Sequence, residues 1–497
     1  MARPHDTETE TMEVAYKVFN DPIHGHIELH PLLVKIIDTP QFQRLRNIKQ
    51  LGGAYYVFPG ASHNRFEHSI GVAYLAGELA NSLQKKQPEL NIDDRDILCV
   101  QIAGLCHDLG HGPFSHLFDG MFIPEARKRQ GQDSKDKKKW THEQATLTMF
   151  DHLIEKNVLE LEKVKDWQVL SNEKDFIKEL IVGKQADADQ PKRMGPYKKK
   201  SFLYDIVANK TNGIDVDKFD YFARDCHHLG IKNNFDHHRF IKFARVCDVD
   251  KGKEAKEKQI CTKEQEVGNV YDFFHTRNCL HRRACQHKVK NIVETMITKA
   301  FVSADKHLKF KGSDGKMRTM STAIEDMVAY TKLTDNVFEQ ILFSTSTELT
   351  EAREILENIL HRRLYKCVGQ FYSANEIKAT EEEIGEKLAG EKDIDRTSNY
   401  LIVKVINMDY GMGTENPIDH LRFYNKRDPN RAIMIPQGQV STLIPGHFQE
   451  WLIQVYCKRT DEESLRTARE RFELWCNALV IIYCLQFIAP CGSIFSN

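Results

Sequence analysis

A histidine followed directly by an aspartate, His107-Asp108, constrains this chain more than any other feature of its sequence. The pair lies in the stretch Cys106-His-Asp-Leu-Gly-His-Gly-Pro-Phe-Ser-His116. Before it, residues 94–106 carry apolar side chains at helical spacing, and after it the glycines and the proline predict a turn. The sequence therefore predicts a helix that ends at the pair and presents an imidazole and a carboxylate to a cleft.

Two more residues can complete a set of metal ligands with this pair. His68 lies upstream in a helix-like stretch, and Asp217 lies downstream, where Asp215 and Asp220 compete with it for the same role. Two neutral nitrogens and two anionic oxygens suit a hard or borderline divalent ion that keeps positions open for water and substrate. Such an ion generates a nucleophile near neutral pH and polarises a phosphoryl oxygen. A lone histidine would usually be structural, but the four residues in this order predict a metal site.

Three further histidines, His111, His116 and His142, exceed what a four-ligand site needs. Imidazoles near a metal are suited to acid-base catalysis or to holding a substrate, because they titrate near neutral pH. A purely structural role for any one of them stays open.

No Gly-rich phosphate-binding loop of the GxxxxGK[ST] or GxGxxG type occurs in the chain. A nucleotide would therefore have to be held by metal, Arg, Lys and His. Arg65, Lys218 and Arg224 are candidates, and so is a basic segment in which Arg277, His281 and Lys288 have the spacing of one helix face. That face is typical either of a solvated surface or of polyphosphate and subunit contacts.

Composition excludes several classes of protein. Lys plus Arg (70) nearly balance Asp plus Glu (71), which argues against bulk electrostatic wrapping of nucleic acid. The most apolar stretch, residues 478–489, is too short to span a membrane and is interrupted by Gln486. The twelve cysteines form no CxxC pair, which favours reduced thiols in an intracellular protein.

The sequence predicts four parts: a disordered N-terminus (1–15), a helical core (16–310), a smaller α+β lobe (311–475) and an atypical tail (476–497). Asp93 or Asp94 is predicted to cap the helix before the His-Asp pair. Within the lobe we expect helix over 320–370, a polar linker over 371–400, strands at 401–407 and 431–435, and a helix over 465–485. The basic segments 125–139 and 184–200 are predicted to be solvated loops, with nucleic-acid-binding arms as the alternative.

These residues resemble the HD-domain phosphohydrolases, and more closely the SAM- and HD-domain-containing deoxynucleoside triphosphate triphosphohydrolases of vertebrates. The resemblance covers nearly everything from Tyr16 to about residue 475, although the SAM domain is not in this sequence. The matching segments lie at 17–26, 41–46, 56–68, 106–116, 212–231, 407–412 and 416–420.

The resemblance implies a mainly α fold, with a helical HD-domain core and a smaller α+β C-terminal lobe. It also implies hydrolysis of dNTPs to deoxynucleoside and intact triphosphate, with Zn, Fe or Mn at the HD site and Mg accompanying the nucleotides. The family's metal ligands match His68, His107, Asp108 and Asp217. Its catalytic positions match His142, His116, His111 and Asp119, with His116 or His142 as the acid for the leaving 5′ oxygen. Its substrate contacts match Gln50, Leu51, Arg65, His111, His116, Lys218, Tyr221, Asp225, Cys285 and Gln286.

The resemblance further implies activation by GTP or dGTP and by a second dNTP, both bound between the subunits of a homotetramer. The guanine-site positions match Lys17, Val18, Asp38, Gln43, Arg46, Arg362 and Lys366. The second-site positions match Asn20, Val57, Arg239, Lys263, Gln265, Asn269, Arg277, His287, Lys288 and Lys426. Cys285 replaces a tyrosine, Lys263 an arginine and Gln265 a lysine, which puts sugar selectivity and second-site affinity in question.

Control of dNTP pools, restriction of viral replication and a nuclear location follow from the resemblance as expectations. The family's basic import segment is not in this sequence, so the cytoplasm remains an alternative. Two other functions stay open: an HD-type phosphodiesterase or nuclease, and a protein that binds single-stranded nucleic acid with a vestigial metal site. No membrane association is expected.

Overall fold

The computed structural model describes residues 16–131, 139–184, 195–250, 256–389, 400–441 and 445–487. The N-terminus expected to be disordered (1–15), parts of both basic segments and the end of the tail lie outside the described residues. None of the helices in the described ranges combines the length and apolar character needed to cross a membrane.

Helices make up most of the described chain, as the apolar periodicity predicts. They are α1 (Pro31–Ile37), α2 (Pro40–Gln43), α3 (Arg65–Lys86), α4 (Asp94–Cys106), α5 (Ile123–Arg129), α6 (His142–Leu161), α7 (Gln168–Asn172), α8 (Lys174–Val182), α9 (Tyr204–Val207), α10 (Val216–Leu229), α11 (His237–Phe243), α12 (Val267–Leu280), α13 (Lys288–Ala304), α14 (Met327–Thr331), α15 (Val337–Leu342), α16 (Thr350–Leu360), α17 (Glu381–Ala389), α18 (Gln437–Val440) and α19 (Glu462–Phe487).

The strands form small sheets around and beyond the helices. They are β1 (Lys17–Asp21), β2 (Gly25–Leu29), β3 (Arg245–Asp250), β4 (Lys256–Lys263), β5 (Phe310–Lys311), β6 (Met317–Arg318), β7 (Lys366–Ser373), β8 (Leu401–Asp409), β9 (Phe423–Tyr424) and β10 (Gln449–Cys457). Strands β7, β10 and β8 form an antiparallel sheet with β10 in the centre, and β9 runs parallel to β4.

The main hydrophobic core surrounds α3, which packs against α4 and α10. It extends through α14 and α15 to α16, so these helices pack with the first part of the chain rather than with the last sheet. A second, smaller core lies between that sheet, α17 and α19. The predicted fold class, a mainly helical core with a smaller α+β lobe, is confirmed.

The lobe is joined to the core through buried polar side chains of β10. Gln454 accepts a hydrogen bond from Asn291 at 2.9 Å and donates one to the carbonyl of Gln286 at 3.0 Å. The Tyr456 hydroxyl donates to the carbonyl of Lys288 at 2.8 Å. The lobe thereby fixes the start of α13.

Two predicted elements of the lobe differ from the observed ones. The stretch predicted as a linker contains α17, which begins with a reciprocal cap: Thr380 accepts from the amide of Glu383, and Glu383 accepts from that of Thr380. The strand predicted at 431–435 forms only isolated bridges, from Arg431 and Ile433. Proline at 429 and 436, which has no N–H to donate, bounds this stretch on both sides.

The stretch expected to be helical over residues 320–370 contains three short helices, α14, α15 and α16, and its end is not helical, because β7 begins at Lys366. The single helix face expected for Arg277, His281 and Lys288 is also wrong. Helix α12 passes into a π-helical turn, His281–Cys285, and the chain is extended at His287 before α13 begins. A π-turn adds a residue per turn and rotates the residues after it about the helix axis, so the spacing of an α-helix no longer applies.

Candidate metal centre and active site

Three helices bring the predicted metal ligands together. His68 lies in the first turn of α3, His107 and Asp108 follow the last turn of α4, and Asp217 lies in the first turn of α10. The capping box Asn64…Glu67 on α3 fixes the start of that helix. The ends of these helices meet at this point. The predicted ligands therefore lie next to helix ends that caps hold in place.

The distances between the ligand atoms suit a divalent cation. His68 Nε2 lies 3.2 Å from Asp217 Oδ1 and 3.4 Å from Asp108 Oδ2, and His107 Nε2 lies 3.4 Å from both of these oxygens. Both Nε2 atoms are buried and have no hydrogen-bond partner. Buried imidazole nitrogens without partners, facing carboxylates, fit a bound metal ion.

Hydrogen bonds on the far side of each imidazole select the ligand nitrogen. His68 Nδ1 lies 2.7 Å from Asp220 Oδ2, and His107 Nδ1 lies 2.8 Å from the carbonyl of Gly104. Both rings therefore donate through Nδ1 and present Nε2 to the site. Burial opposes charge on Asp220, but Arg224 and its two histidine partners hold the pKa of this carboxyl well below its usual range.

Among the three competing carboxylates, Asp217 is the one directed at both ligand histidines. Asp215 instead caps α10 and pairs with Lys218 at 2.9 Å. Asp220 lies behind His68 and bonds Arg224 and His24. This arrangement supports the assignment of Asp217.

Arg65 joins the metal group to the loop that follows it, residues 107–116, which we call the His-Asp loop. Its guanidinium lies 2.6 Å from Asp108 Oδ2 and 3.0 Å from Ser115 Oγ, and it is buried. Burial disfavours charge on Asp108, but Arg65 and the neighbouring histidines hold the pKa of this carboxyl well below its usual range. Asp108 is therefore anionic at neutral pH, as its predicted role as a metal ligand requires.

A second cluster contains His111, His116, Asp119 and His142, whose ligand-type atoms all lie within 4.8 Å of one another. His142 Nδ1 lies 2.8 Å from Asp119 Oδ2, and His116 Nδ1 lies 3.6 Å from Asp119 Oδ1. His111 stacks on His142 with ring centres 4.0 Å apart and lies 3.3 Å from Asp108 Oδ1. The cluster thus adjoins the metal group directly.

The histidines of this cluster differ in solvent exposure and can therefore play different roles. Burial and the charge of Arg65 hold the pKa of His111 well below its usual value, so this ring is neutral near neutral pH. The His116 side chain is 69% exposed and reaches open solvent. An exposed imidazole beside a carboxylate can deliver a proton to a bound substrate, whereas neutral His111 is suited to hydrogen bonding.

The remaining predicted substrate positions lie on α10, in the stretch before α3 and at the end of the π-turn that follows α12. Asp217, Tyr221 and Asp225 share a face of α10, since they are four residues apart. The carbonyl of Gln50 accepts from Arg65 at 3.3 Å, and Leu51 follows it. Cys285 ends the π-turn next to Gln286, and burial raises the pKa of its thiol to about 11. Lys218 is paired with Asp215.

The guanine-site positions are exposed or partly exposed. Asp38 follows α1, Gln43 bonds the carbonyl of Ile37 at 2.8 Å, and Arg46 bonds Gln43 at 2.7 Å. Lys17 and Val18 lie on β1. Arg362 follows α16 and bonds the carbonyl of Tyr56 at 2.7 Å, and Lys366 is the first residue of β7.

The second-site positions are partly brought together. Arg239 and Lys263 both lie over the Phe243 ring, at 5.2 and 5.6 Å. Arg239 also pairs with Glu266, and Arg277 pairs with Asp409. The other positions lie on β1, in the loop before α3, around α12 and α13, and after β9: Asn20, Val57, Gln265, Asn269, His287, Lys288 and Lys426.

Sequence reasoning missed two buried histidines beside the site. His24 bonds Asp220 at 2.7 Å, and His63 bonds Asp225 at 2.7 Å while stacking on His228. Neither has a spacing that identifies its partner, because each contact joins residues more than 150 positions apart. The tertiary fold brings them together, because α10 packs against both the turn between β1 and β2, which carries His24, and the stretch before α3, which carries His63.

The comparisons with known proteins agree with this geometry. Residues 65–225, which hold every proposed metal ligand, match the HD domain family. The chain is 59% identical over 471 residues to the zebrafish protein Deoxynucleoside triphosphate triphosphohydrolase SAMHD1, covering 93% of this chain and 74% of that one. The human protein of that name is 59% identical, covering 93% and 73%. A Dictyostelium discoideum protein named as its homolog is 36% identical, covering 93% and 82%. The chain therefore belongs to the HD-domain family and, within it, to the SAMHD1 family of deoxynucleoside triphosphate triphosphohydrolases.

Proposed function

We propose that this chain hydrolyses dNTPs to deoxynucleoside and inorganic triphosphate at the centre formed by His68, His107, Asp108 and Asp217. The observation that carries the proposal is the pair of buried, unpartnered Nε2 atoms facing two carboxylates inside the matched HD domain. A divalent cation held by these residues would act as a Lewis acid: it would lower the pKa of bound water and polarise a phosphoryl oxygen. Zn, Fe and Mn each suit this donor set.

The chain's own side chains bind the triphosphate and protonate the leaving group. Arg65 and Lys218 supply positive charge to phosphate oxygens, and Mg accompanies the nucleotide. His116 or His142, each beside Asp119, donates the proton that the 5′ oxygen needs when its bond to the α-phosphorus breaks. Gln50, Leu51, Tyr221, Asp225, Cys285 and Gln286 hold the nucleoside, with His111 as a hydrogen-bond partner of the α-phosphate.

Activity depends, in this proposal, on GTP or dGTP and on a second dNTP bound between the subunits of a homotetramer. The exposed cations at both sets of regulatory positions support it, because triphosphates buried between subunits need paired positive charge. Nucleotide binding to the assembled form and not to the monomer shifts the population towards the tetramer.

In the cell, such an enzyme lowers dNTP pools and thereby restricts viral replication, and we propose a nuclear location. Single-stranded nucleic acid is a further partner in this proposal. These proposals about the cellular role, the location and the nucleic-acid partner rest on membership of the family.

Product analysis tests the reaction and its regulation together. The protein is incubated with Mg and dATP, with and without GTP, and with GTP as sole substrate. Deoxyadenosine and intact triphosphate that appear from dATP only when GTP is present support the proposal. Turnover of cyclic nucleotides or oligonucleotides, without triphosphate release, supports an HD phosphodiesterase or nuclease instead.

A further inference from the structure

The geometry points to a positioning role for the segment Tyr330–Asp335, which lies more than 200 residues after the His-Asp loop in sequence and is bonded to it at several main-chain atoms. In this inference the Asp335 carboxylate holds the loop so that His116 faces the substrate. The inference rests on the proposed hydrolysis and adds to it a residue remote from the metal ligands.

The His-Asp loop contains a conformation that needs outside support. Phe114 and Ser115 have φ angles of 59° and 56°, two consecutive non-glycine residues in the left-handed region. L side chains crowd the backbone in this conformation, so it persists only where surrounding contacts hold it. His116 comes directly after Ser115, so its direction depends on this turn.

Asp335 supplies the contact that holds the turn. Its Oδ1 accepts a hydrogen bond from the Phe114 amide at 2.6 Å, and its Oδ2 accepts one from the Lys49 amide at 2.8 Å. Ser115 Oγ donates to the carbonyl of Lys49 at 2.6 Å. Asp335 therefore joins the turn to the stretch that carries Gln50.

Other residues of the segment bond the first half of the loop. The Tyr330 hydroxyl donates to the carbonyl of Gly110 at 2.8 Å. Arg44 donates to the carbonyls of Leu109 and Leu333, at 3.0 and 2.9 Å, and lies over the Tyr330 ring. All these groups are buried, so water does not readily replace the contacts.

The contacts divide the site into two parts. His68 and Asp217 are held by α3 and α10, which the segment 330–335 does not bond among the described contacts. His116 depends on the turn, and so does Arg65 through Ser115. His107 and Asp108 begin the loop directly after α4, six or more residues before the Phe114 amide that Asp335 bonds. Loss of Asp335 should therefore displace the turn and His116 more than it displaces the four metal ligands.

The test compares Asp335→Asn with a matched control, Asp326→Asn. Asparagine keeps one acceptor oxygen at position 335. Its NH2 group, however, is a donor and faces a backbone N–H that is also a donor, so one of the two hydrogen bonds is lost. Asp326, in the same part of the chain, also accepts backbone N–H bonds, from Ser313, Val328 and Ala329, but contacts no part of the His-Asp loop among the described bonds. Tyr330→Phe is a milder third variant that removes only the bond to Gly110. Metal content, kcat and KM for dATP with GTP, and amide hydrogen exchange are measured for each.

We expect Asp335→Asn to lower kcat at least about tenfold, which is about 1.4 kcal/mol, with KM within about threefold and metal content unchanged. Tyr330→Phe should lower kcat about threefold, and Asp326→Asn should leave it near wild type. Faster exchange should appear at residues 114–118, around the turn that Asp335 holds, in Asp335→Asn and not in Asp326→Asn.

Equal kcat in Asp335→Asn and Asp326→Asn would overturn the inference. A loss of kcat that follows the fall in melting temperature across all the variants would also overturn it, because it would reflect general stability and not positioning. Should Asp335→Asn not fold, a kcat for Tyr330→Phe equal to wild type would overturn it. Hydrogen exchange tests the positioning role without turnover, so a wild-type protein that fails to cleave dNTPs would refute the proposed function separately.

Discussion

A single buried carboxylate, Asp220, determines how one metal ligand is presented. It bonds His68 Nδ1 while Arg224 and His24 bond its two oxygens, and it is fully buried. Carboxylates behind ligand histidines fix the ring and raise its basicity. The metal affinity of this centre should therefore depend on a residue that does not touch the metal.

Asp220→Asn should weaken metal binding about 10- to 100-fold, because a neutral amide accepts more weakly from His68 Nδ1–H and so leaves Nε2 less basic. Metal content after dialysis against a graded chelator measures this affinity. His24→Asn removes a bond to the same carboxylate without touching His68, so it should have a smaller effect. Equal metal affinity in Asp220→Asn and wild type would contradict the role.

Metal binding and proton transfer should separate by mutation. His107→Ala removes a ligand nitrogen and should abolish both metal content and turnover with the fold intact. His142→Ala, in the neighbouring cluster, should keep one equivalent of metal and lose about 100-fold or more in kcat. Elemental analysis beside steady-state kinetics checks both variants. Metal-free His107→Ala with full activity would refute the metal assignment.

At the scale of elements, the site depends on the ends of three helices, and the opposite end of one of them, the start of α4, shows how local sequence fixes a helix terminus. Asp93 accepts from the Asp96 amide at 2.9 Å, and Asp96 accepts from the Asp93 amide at 3.0 Å. This reciprocal cap satisfies backbone donors that the first turn leaves unpaired. It fixes where α4 begins, and His107 comes directly after its last turn.

Asp93→Ala should lower the free energy of unfolding by about 1 kcal/mol, the usual value of an N-cap. Asp94→Ala is the matched control, because Asp94 is also exposed and acidic but lies one position later without the capping bond. Urea unfolding of the metal-free proteins measures both. Equal destabilisation by the two changes would show that charge near the helix start, and not the cap, matters.

Much of this element structure could be predicted from the sequence. Helix α4, its end at His107 and the position of His68 on a helix follow from periodicity and cap residues. Helix α17 was missed although its signal is present, since Thr380 and Glu383 form a capping pair and Ile384 and Leu388 lie at helical spacing after them. The spacing of Arg277, His281 and Lys288 misled, because no local signal identifies a π-turn.

The candidate site, like the fold, could be predicted from the sequence only in part. The order of His68, His107, Asp108 and a downstream aspartate indicates a metal centre from residue types alone. The choice of Asp217 over Asp215 and Asp220 needs the geometry of the folded site. The contacts of His24, His63 and Asp335 join segments far apart in sequence, so only the tertiary fold reveals them.

At the scale of the whole molecule, the proposed regulation requires surfaces that a single chain leaves open. Asp38, Arg46 and Lys17 lie exposed near the start of the core, whereas Arg362 and Lys366 lie beyond α16. The proposed tetramer places these two groups from different subunits around one guanine nucleotide. The main core contains the metal centre, so assembly and metal binding are separable properties.

Asp38→Ala should block GTP-dependent assembly with an intact metal centre, because the carboxylate is the acidic member of the guanine-site positions. Analytical ultracentrifugation with and without GTP measures assembly, and elemental analysis measures the metal. Asp94→Ala, another exposed aspartate outside the proposed sites, is the control and should assemble as wild type. A tetramer of Asp38→Ala with GTP would contradict the regulatory assignment.

The most direct test of the proposed reaction is hydrolysis of dATP in ¹⁸O-labelled water, with GTP and Mg, and mass analysis of both products. We predict intact triphosphate that carries one ¹⁸O atom and deoxyadenosine that carries none, because water attacks the α-phosphorus and the 5′ oxygen leaves with the nucleoside. Deoxyadenosine monophosphate with pyrophosphate, or label in the deoxyadenosine, would contradict it.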